Sequence, residues 1–300
     1  MRHIEKVFID GIKKERIKFN EPMSNHTSFK TGGNADIFLT PATKEEIVFC
    51  IEKCIEEKIP YTIIGNGSNL LVRDKGIRGA VIQIGNNYGN IMKNDEIITV
   101  QSGAMLSKIG NYALENSLEG FEFASGIPGT LGGALTMNAG AYGGEMKDIV
   151  ETVTAYKDGN VIELKNKDCL FGYRTSLFLK GKYVLLKANI KLKKGIYKEI
   201  EKKMKNLMNR RIEKQPLNLP SAGSTFKRPE GYFAGKLIMD SGLKGFSIGG
   251  AQVSEKHCGF IVNKGGASSK DIEELIEYVK NNVYSKFNVM LETEVRIIGE

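Results

Sequence analysis

"SGIPGTLGGALTMNAGAYGGE", Ser125–Glu145, contains seven glycines and three alanines, and its one charged residue is the closing Glu145. Successive glycines let backbone N–H groups approach an anion that a Cβ would hold off, and several such donors in one turn form a nest for phosphate oxygens. Here the glycines run past the needs of any turn while the side chains stay small and apolar. That composition suits a backbone lying flat against a large, partly apolar, phosphate-bearing ligand, and a flavin dinucleotide meets the description.

Working outward, "GNGSN", Gly65–Asn69, follows the short apolar run "YTIIG", where a phosphate loop belongs, and Ser68 and Asn69 add uncharged donors. Taken alone it reads as a plain tight turn. Neither stretch matches the Rossmann fingerprint: Leu70 stands where the third glycine would be, and no Walker lysine follows either loop. The ordinary dehydrogenase fold is disfavoured.

Between and around these loops the pattern is mixed. "TKEEIVFCIEKCIEEK", Thr43–Lys58, opens with a Thr43 to Glu46 capping box and repeats apolar residues at helical spacing until Pro60 ends it. "GAVIQI", "IITVQSG" and "ETVTAYK" read as strands, and Met105–Asn116 reads as a helix. A charged helix begins near Ile196 and stops before "QPLNLPSAGS". A further helix is expected over Ser269–Tyr284. The last strand, Val289–Ile298, alternates Leu291, Thr293, Val295 and Ile297 against Glu292, Glu294 and Arg296. The class is α+β, with a domain boundary near residue 196.

Composition narrows the function. With 41% hydrophobic and 26% charged residues, the chain is a globular protein. It carries no apolar run long enough to span a bilayer and no secretory leader, so a cytoplasmic location is expected. Four cysteines without a CxxC and three scattered histidines point to no metal and no disulfide. The net charge of +8 allows an anionic partner, but much of it lies in Tyr197–Lys214, interleaved with glutamates, which reads as a solvated helix face. Aromatic platforms for nucleic acid are lacking, so none is expected as a partner.

Three polar residues stand in apolar or glycine settings: Arg174 in "GYRTSLF", Ser224 in "SAGSTFKRP" and Glu294 in "ETEVR". Each also has an ordinary reading, as an ion-pair partner, a turn or cap serine, and the solvent face of an edge strand.

The ordered set "HTSFKTGG", "IGNGSNLLV", "SGIPGTLGGALTMNAGAYG", "GYRTSLF", "AGSTFKRP", "GFIVN" and "EVRIIG" resembles the UDP-N-acetylenolpyruvoylglucosamine reductase (MurB) family over nearly the whole chain. The resemblance implies an N-terminal segment 1–23 and an FAD-binding domain 24–195 of the vanillyl-alcohol-oxidase/PCMH type. That domain has two subdomains split near residue 85. A C-terminal α+β substrate-binding domain would follow, 196–300.

It implies non-covalent FAD on Gly65, Asn66, Gly67, Ser68, Asn69, Ser125, Pro128, Gly129, Thr130, Gly132, Gly133, Asn138, Ala139, Gly140 and Gly143. NADPH would be the reductant, and the substrate a UDP-sugar, UDP-N-acetylglucosamine enolpyruvate. Arg174, Ser224 and Glu294 would be catalytic, Arg174 facing the charge that builds beside the substrate carboxylate, Glu294 assisting and Ser224 passing a proton to carbon. Tyr173, Lys227 and Lys244 would touch the substrate. A monomer is expected.

The chain departs from the family in two ways. It leaves no room for the tyrosine-bearing loop of the family's longer form, and Arg228 stands where asparagine is frequent. Two rivals remain at this point: another FAD enzyme on the same fold, and a basic nucleic-acid-binding protein whose glycine loops serve packing alone.

Overall fold

A computed structural model describes residues 7–300; the first six residues of the expected N-terminal segment lie outside the described residues. The chain folds as two units. One takes the described residues up to Lys18, Phe38–Asn66 and Ala80–Arg211, and the other takes Phe19–Ile37, Gly67–Gly79 and Ile212–Glu300. The chain passes from one to the other inside the strands Ile17–Pro22, Asn34–Leu39 and Ile77–Gln83, between Asn66 and Gly67, and near the end of the helix Tyr197–Lys214.

In the first unit the strand Tyr61–Ile64 pairs in parallel with Ala80–Gln83. The helix Lys44–Glu56 precedes it and buries Ile47, Cys50, Ile51 and Cys54, the apolar face the spacing predicts. Burial pushes the Cys50 and Cys54 thiols up to about 12, so both stay protonated and inert. The expected capping box is half closed. Thr43 Oγ1 accepts from the Glu46 N–H at 3.1 Å, but Arg16 holds the Glu46 carboxylate at 2.6 Å, and its return bond goes to the Ala42 N–H.

A five-stranded antiparallel sheet forms the rest of this unit, in the spatial order Asn160–Lys165, Val150–Lys157, Val184–Lys191, Ile97–Gln101, Ile91–Asn94. With the helix Leu106–Glu115 it encloses Ile98, Val100, Ile109, Phe121, Leu131 and Ile190, all buried. Each such side chain contributes about 1.5–3 kcal/mol on burial. This core therefore carries the glycine stretch, which has few large side chains of its own to bury.

In the second unit the helix Ser269–Phe287 turns Ile272, Leu275, Ile276, Val279 and Val283 inward, the stripe read from the sequence. Its start is a closed capping box, Ser268 with Asp271, and Asn288 ends it in a left-handed conformation at φ 53°. A three-stranded antiparallel sheet, Ser247–Ile248, Ala251–Val253 and Ile261–Asn263, shares its core with this helix and with Ala234–Asp240.

The expected last strand changes partner midway. Its middle pairs antiparallel with 225–227 through Phe226 opposite Thr293, whereas Arg296–Ile298 pairs in parallel with Leu70–Val72. One ladder cannot run in both directions, so the regular strand shortens to Arg296–Ile298. The predicted alternation survives at Leu291 and Val295, both buried. No helix among the described residues is long and apolar enough to cross a membrane.

Candidate active site

In the first unit the loop end at Gly65–Asn66 is fastened to the glycine stretch. Asn66 Nδ2 donates to the Pro128 carbonyl at 2.9 Å, and a Cβ at Gly65 would strike the Thr130 hydroxyl, so glycine is required for the close approach. Thr130 in turn caps a short helix, Leu131–Thr136, an element the sequence reading did not assign. The Gly132 N–H donates to the Ser102 carbonyl at 2.8 Å, and Ser125 Oγ donates to the Glu122 carbonyl at 2.8 Å. Beyond the helix, Gly140–Ala141 and Gly144–Glu145 pair as a hairpin with Tyr142 and Gly143 at its tip, φ 53° and 89°.

Asn138 is buried and fully engaged. Its Nδ2 donates to Glu145 Oε2 at 2.9 Å and to the Gly172 carbonyl at 3.0 Å, while its Oδ1 accepts from the Lys147 N–H at 2.9 Å. Asn138 thereby brings the glycine stretch to the loop bearing Tyr173 and Arg174. Mutual bonds between Gly172 and Thr175 close that loop, and Ser176 Oγ ties it to the Thr136 carbonyl at 2.7 Å. Arg174 sits at φ 54°, a left-handed position for a long side chain, its guanidinium 5.4 Å from the ring centre of exposed Tyr173. The Lys147 ammonium, 2.9 Å away, holds the Glu145 carboxyl below its ordinary range against the opposing effect of burial, with Asn138 and Arg174 adding to the shift.

The other candidates belong to the second unit. Gly67, at φ 63°, lies against the His26 carbonyl. Asn69 donates its amide to the Glu294 carbonyl at 3.2 Å and accepts from the Arg296 N–H at 3.0 Å. The Glu294 N–H donates to the Thr225 carbonyl, and the Lys227 N–H to the Glu292 carbonyl, each at 2.8 Å. Thr225 is fully buried: its N–H goes to the Gly259 carbonyl at 2.8 Å, and its Oγ1 accepts from the Ile261 N–H at 3.0 Å. Ser224 stands one residue before this anchor and just after Gly223, at φ 76°. Ser224 is half-buried, and among the described residues its hydroxyl makes no hydrogen bond.

The structure thus joins Ser224, Glu294 and Asn69 in one unit, and Arg174, Tyr173, Asn138 and the glycine stretch in the other. Lys227 lies on the Ser224 ladder, but Glu292 holds its ammonium at 2.8 Å. Lys244 is exposed in a turn before Gly245, where its charge partly offsets the effect of burial on the Cys258 thiol.

The basic helix presents the expected exposed face, with one departure. Arg211 is not on a solvated face: it is half-buried and donates to the Gly126 carbonyl, and Arg210 stacks over Tyr142 with 4.9 Å to the ring centre. The signal was legible, since Ile200, Met204, Met208 and Arg211 recur at helical spacing.

Each unit, taken by itself, carries features that suit a flavin dinucleotide. Among the described residues, no carbonyl or side chain accepts from the backbone N–H groups of Asn66, Gly67 and Ser68. At Gly143 a Cβ would meet nothing within 4 Å, and at Gly133 only the Thr130 hydroxyl at 3.7 Å. Unused N–H donors and bare backbone are what a diphosphate and a flat ring system require. Among the described residues no group of three His, Cys, Asp or Glu converges as a metal set would.

Comparisons with known proteins agree with this geometry. The family model described as "FAD binding domain" matches residues 35–165, and that described as "UDP-N-acetylenolpyruvoylglucosamine reductase, C-terminal domain" matches residues 215–298. A UDP-N-acetylenolpyruvoylglucosamine reductase of Clostridioides difficile is 57% identical over 96% of this chain and 95% of its own length. The crystal structure of the enzyme of that name from Thermus caldophilus superposes with a TM-score of 0.79 at 35% identity, covering 92% of this chain and 97% of its own. An alkyldihydroxyacetonephosphate synthase structure, 14% identical, aligns over 65% of this chain and 40% of its own with a TM-score of 0.51, a likeness of fold alone.

Proposed function

The chain belongs to the UDP-N-acetylenolpyruvoylglucosamine reductase family, and from that premise we propose how its own residues perform the reaction. The activity is the NADPH-dependent reduction of UDP-N-acetylglucosamine enolpyruvate to UDP-N-acetylmuramate, a step in peptidoglycan precursor synthesis, in an α+β protein with an FAD-binding part. FAD, when bound, supplies the hydride relay from NADPH to the enolpyruvyl double bond.

Ser224 holds the proton that the substrate carbon receives. A serine hydroxyl is a weak acid but is always protonated near neutral pH, and against a carbanion-like acceptor reach matters more than strength. The guanidinium of Arg174 offsets the charge that builds at the substrate carboxylate, and Glu294 offers the substrate a hydrogen bond. Tyr173, Lys227 and Lys244 bind the substrate, with Lys227 released from Glu292 by an incoming anion. The N–H groups at Gly65–Asn69, with Ser125, Pro128–Thr130, Gly132, Gly133, Ala139, Gly140 and Gly143, hold the flavin, while Asn138 braces the Arg174 loop from behind. Residues 24–195 form the cofactor part and 196–300 the substrate part, in a cytoplasmic monomer that takes no nucleic acid.

The observation that carries the reading is half-buried Ser224, its hydroxyl uncommitted, one residue from a ladder that also fixes Glu294. Under anaerobic conditions flavin-loaded protein should oxidise NADPH beyond one equivalent only when the enolpyruvyl sugar nucleotide is added, and the product should be heavier by two hydrogens. NADPH consumption indifferent to that substrate would refute the function.

A further inference from the structure

The second unit holds a cavity of about 800 Å³, lined by the segment 215–219 and by Gln252, Ser254, Glu255 and Lys264. None of these residues belongs to the active site proposed above. The size is that of a small-molecule site.

The polar lining is only partly used. Gln252 is 7% exposed, and its Nε2 donates to the Gly245 carbonyl at 2.9 Å, but among the described residues its Oε1 accepts from nothing. Gln215 Oε1 is buried with no hydrogen-bond partner. Ser254, 2% exposed, accepts from the Lys256 and His257 N–H groups at 3.1 and 3.3 Å, which leaves its own hydroxyl proton without an acceptor. Buried polar groups left without partners are destabilising, so these two amide oxygens ask for a donor and the serine for an acceptor. The terminal torsion of a glutamine is soft, so a donor arriving in the cavity can claim the Gln215 oxygen by turning its amide.

The charges around the cavity are equally uncommitted. Among the described residues Lys264 has neither an ion pair nor a side-chain hydrogen bond, and Glu255 has no cation within ion-pair distance. Lys256 donates its ammonium to the neutral Ile212 carbonyl at 2.6 Å. Pro216, Leu217 and Leu219 supply an apolar wall. A ligand carrying only negative charge would face Glu255 and two carbonyl oxygens, and one carrying only positive charge would face Lys264. A zwitterion satisfies both sets.

We propose that this cavity binds a small zwitterion of the amino-acid class, an apolar dipeptide. Its ammonium is taken by Gln252 Oε1, Gln215 Oε1 and Glu255, its carboxylate by Lys264 and the Ser254 hydroxyl, and its side chains by Leu217 and Leu219. Hydrogen bonds to a charged group are the strong ones, so both ends matter to affinity.

Calorimetric titration of the flavin-loaded protein with leucyl-leucine is compared with N-acetyl-leucyl-leucine, which lacks the ammonium, and leucyl-leucinamide, which lacks the carboxylate. Leucyl-leucine should bind saturably, and each blocked peptide should bind about tenfold or more weakly. Gln252→Leu and Lys264→Gln should each weaken leucyl-leucine by about ten- to hundred-fold while substrate-dependent NADPH oxidation stays at the wild-type rate. Lys264 is exposed, so its variant keeps the test decisive should Gln252→Leu not fold. The inference is overturned if leucyl-leucine shows no saturable binding at millimolar concentration, if the blocked peptides bind as well, or if Lys264→Gln has no effect. Displacement of leucyl-leucine by UDP-N-acetylglucosamine would also overturn it, by placing the peptide in the active site.

Discussion

Glu294 donates its backbone N–H to the Thr225 carbonyl at 2.8 Å, so one rung of a short antiparallel ladder fixes Glu294 and, a residue away, Ser224. Neither position depends on a long regular element. The ladder is held on one side by the buried Thr225 and on the other by Asn69, whose amide reaches the Glu294 carbonyl.

Ser224→Ala should leave flavin reduction by NADPH nearly intact and slow reoxidation by the enolpyruvyl substrate by about 10²- to 10⁴-fold, because only the second half-reaction needs the proton. Stopped-flow absorbance separates the halves. Equal loss in both would remove Ser224 from its role.

Thr225→Val deletes the acceptor of the Ile261 N–H and leaves that donor buried and unpaired, at a cost of about 1–3 kcal/mol. The urea midpoint should fall by a matching amount, with the second half-reaction slowed more than the first. An unchanged midpoint would show that Thr225 does not anchor the ladder.

Two glycine substitutions should separate fold from cofactor. Gly67→Ala combines left-handed strain with a clash against the His26 carbonyl and should lower the melting temperature of the flavin-free protein strongly. Gly143→Ala meets no neighbour, so strain of about 1–2 kcal/mol is its main cost to the fold, while flavin affinity falls because a methyl now covers the open backbone. Flavin titration alongside thermal melts checks both, and the reverse ranking in the melts would contradict this reading.

Acid stability has a sign set by Asp271. The Gly250 N–H and then the Ser268 N–H hold its carboxyl below the ordinary aspartate range. The folded value is depressed, so the stabilisation is fully present above the unfolded value of about 4 and is lost as pH falls through the folded one. Asp271→Asn should lower stability at pH 7 and flatten the loss that sets in as pH falls below the unfolded value in denaturant melts. A parallel offset at every pH would argue against the carboxylate as the cause.

Much of this was legible in the sequence because local patterns decide it. The stripe from Ile272 to Val283 and the helix Leu106–Glu115 follow from spacing, and the motif order carries the family. What escaped depends on partners distant in the chain. No local signal tells that Val289–Ile298 must switch from an antiparallel to a parallel neighbour, or that Arg16 diverts Glu46 from its capping box. The family resemblance implies Asn138 as a cofactor contact, and no local signal tells that Glu145, Lys147 and Gly172 engage its amide. The hairpin turn at Asp158–Gly159, which pairs Asn160–Lys165 with Val150–Lys157, was an available signal, but the alternation after it is too polar to mark a strand.

The most direct test is an anaerobic two-step titration of the flavin-loaded protein. NADPH should bleach the yellow absorbance, and one equivalent of UDP-N-acetylglucosamine enolpyruvate should restore it with release of UDP-N-acetylmuramate. A bleached spectrum that stays bleached after the enolpyruvyl sugar is added, in protein shown to be folded and flavin-loaded, would contradict the account.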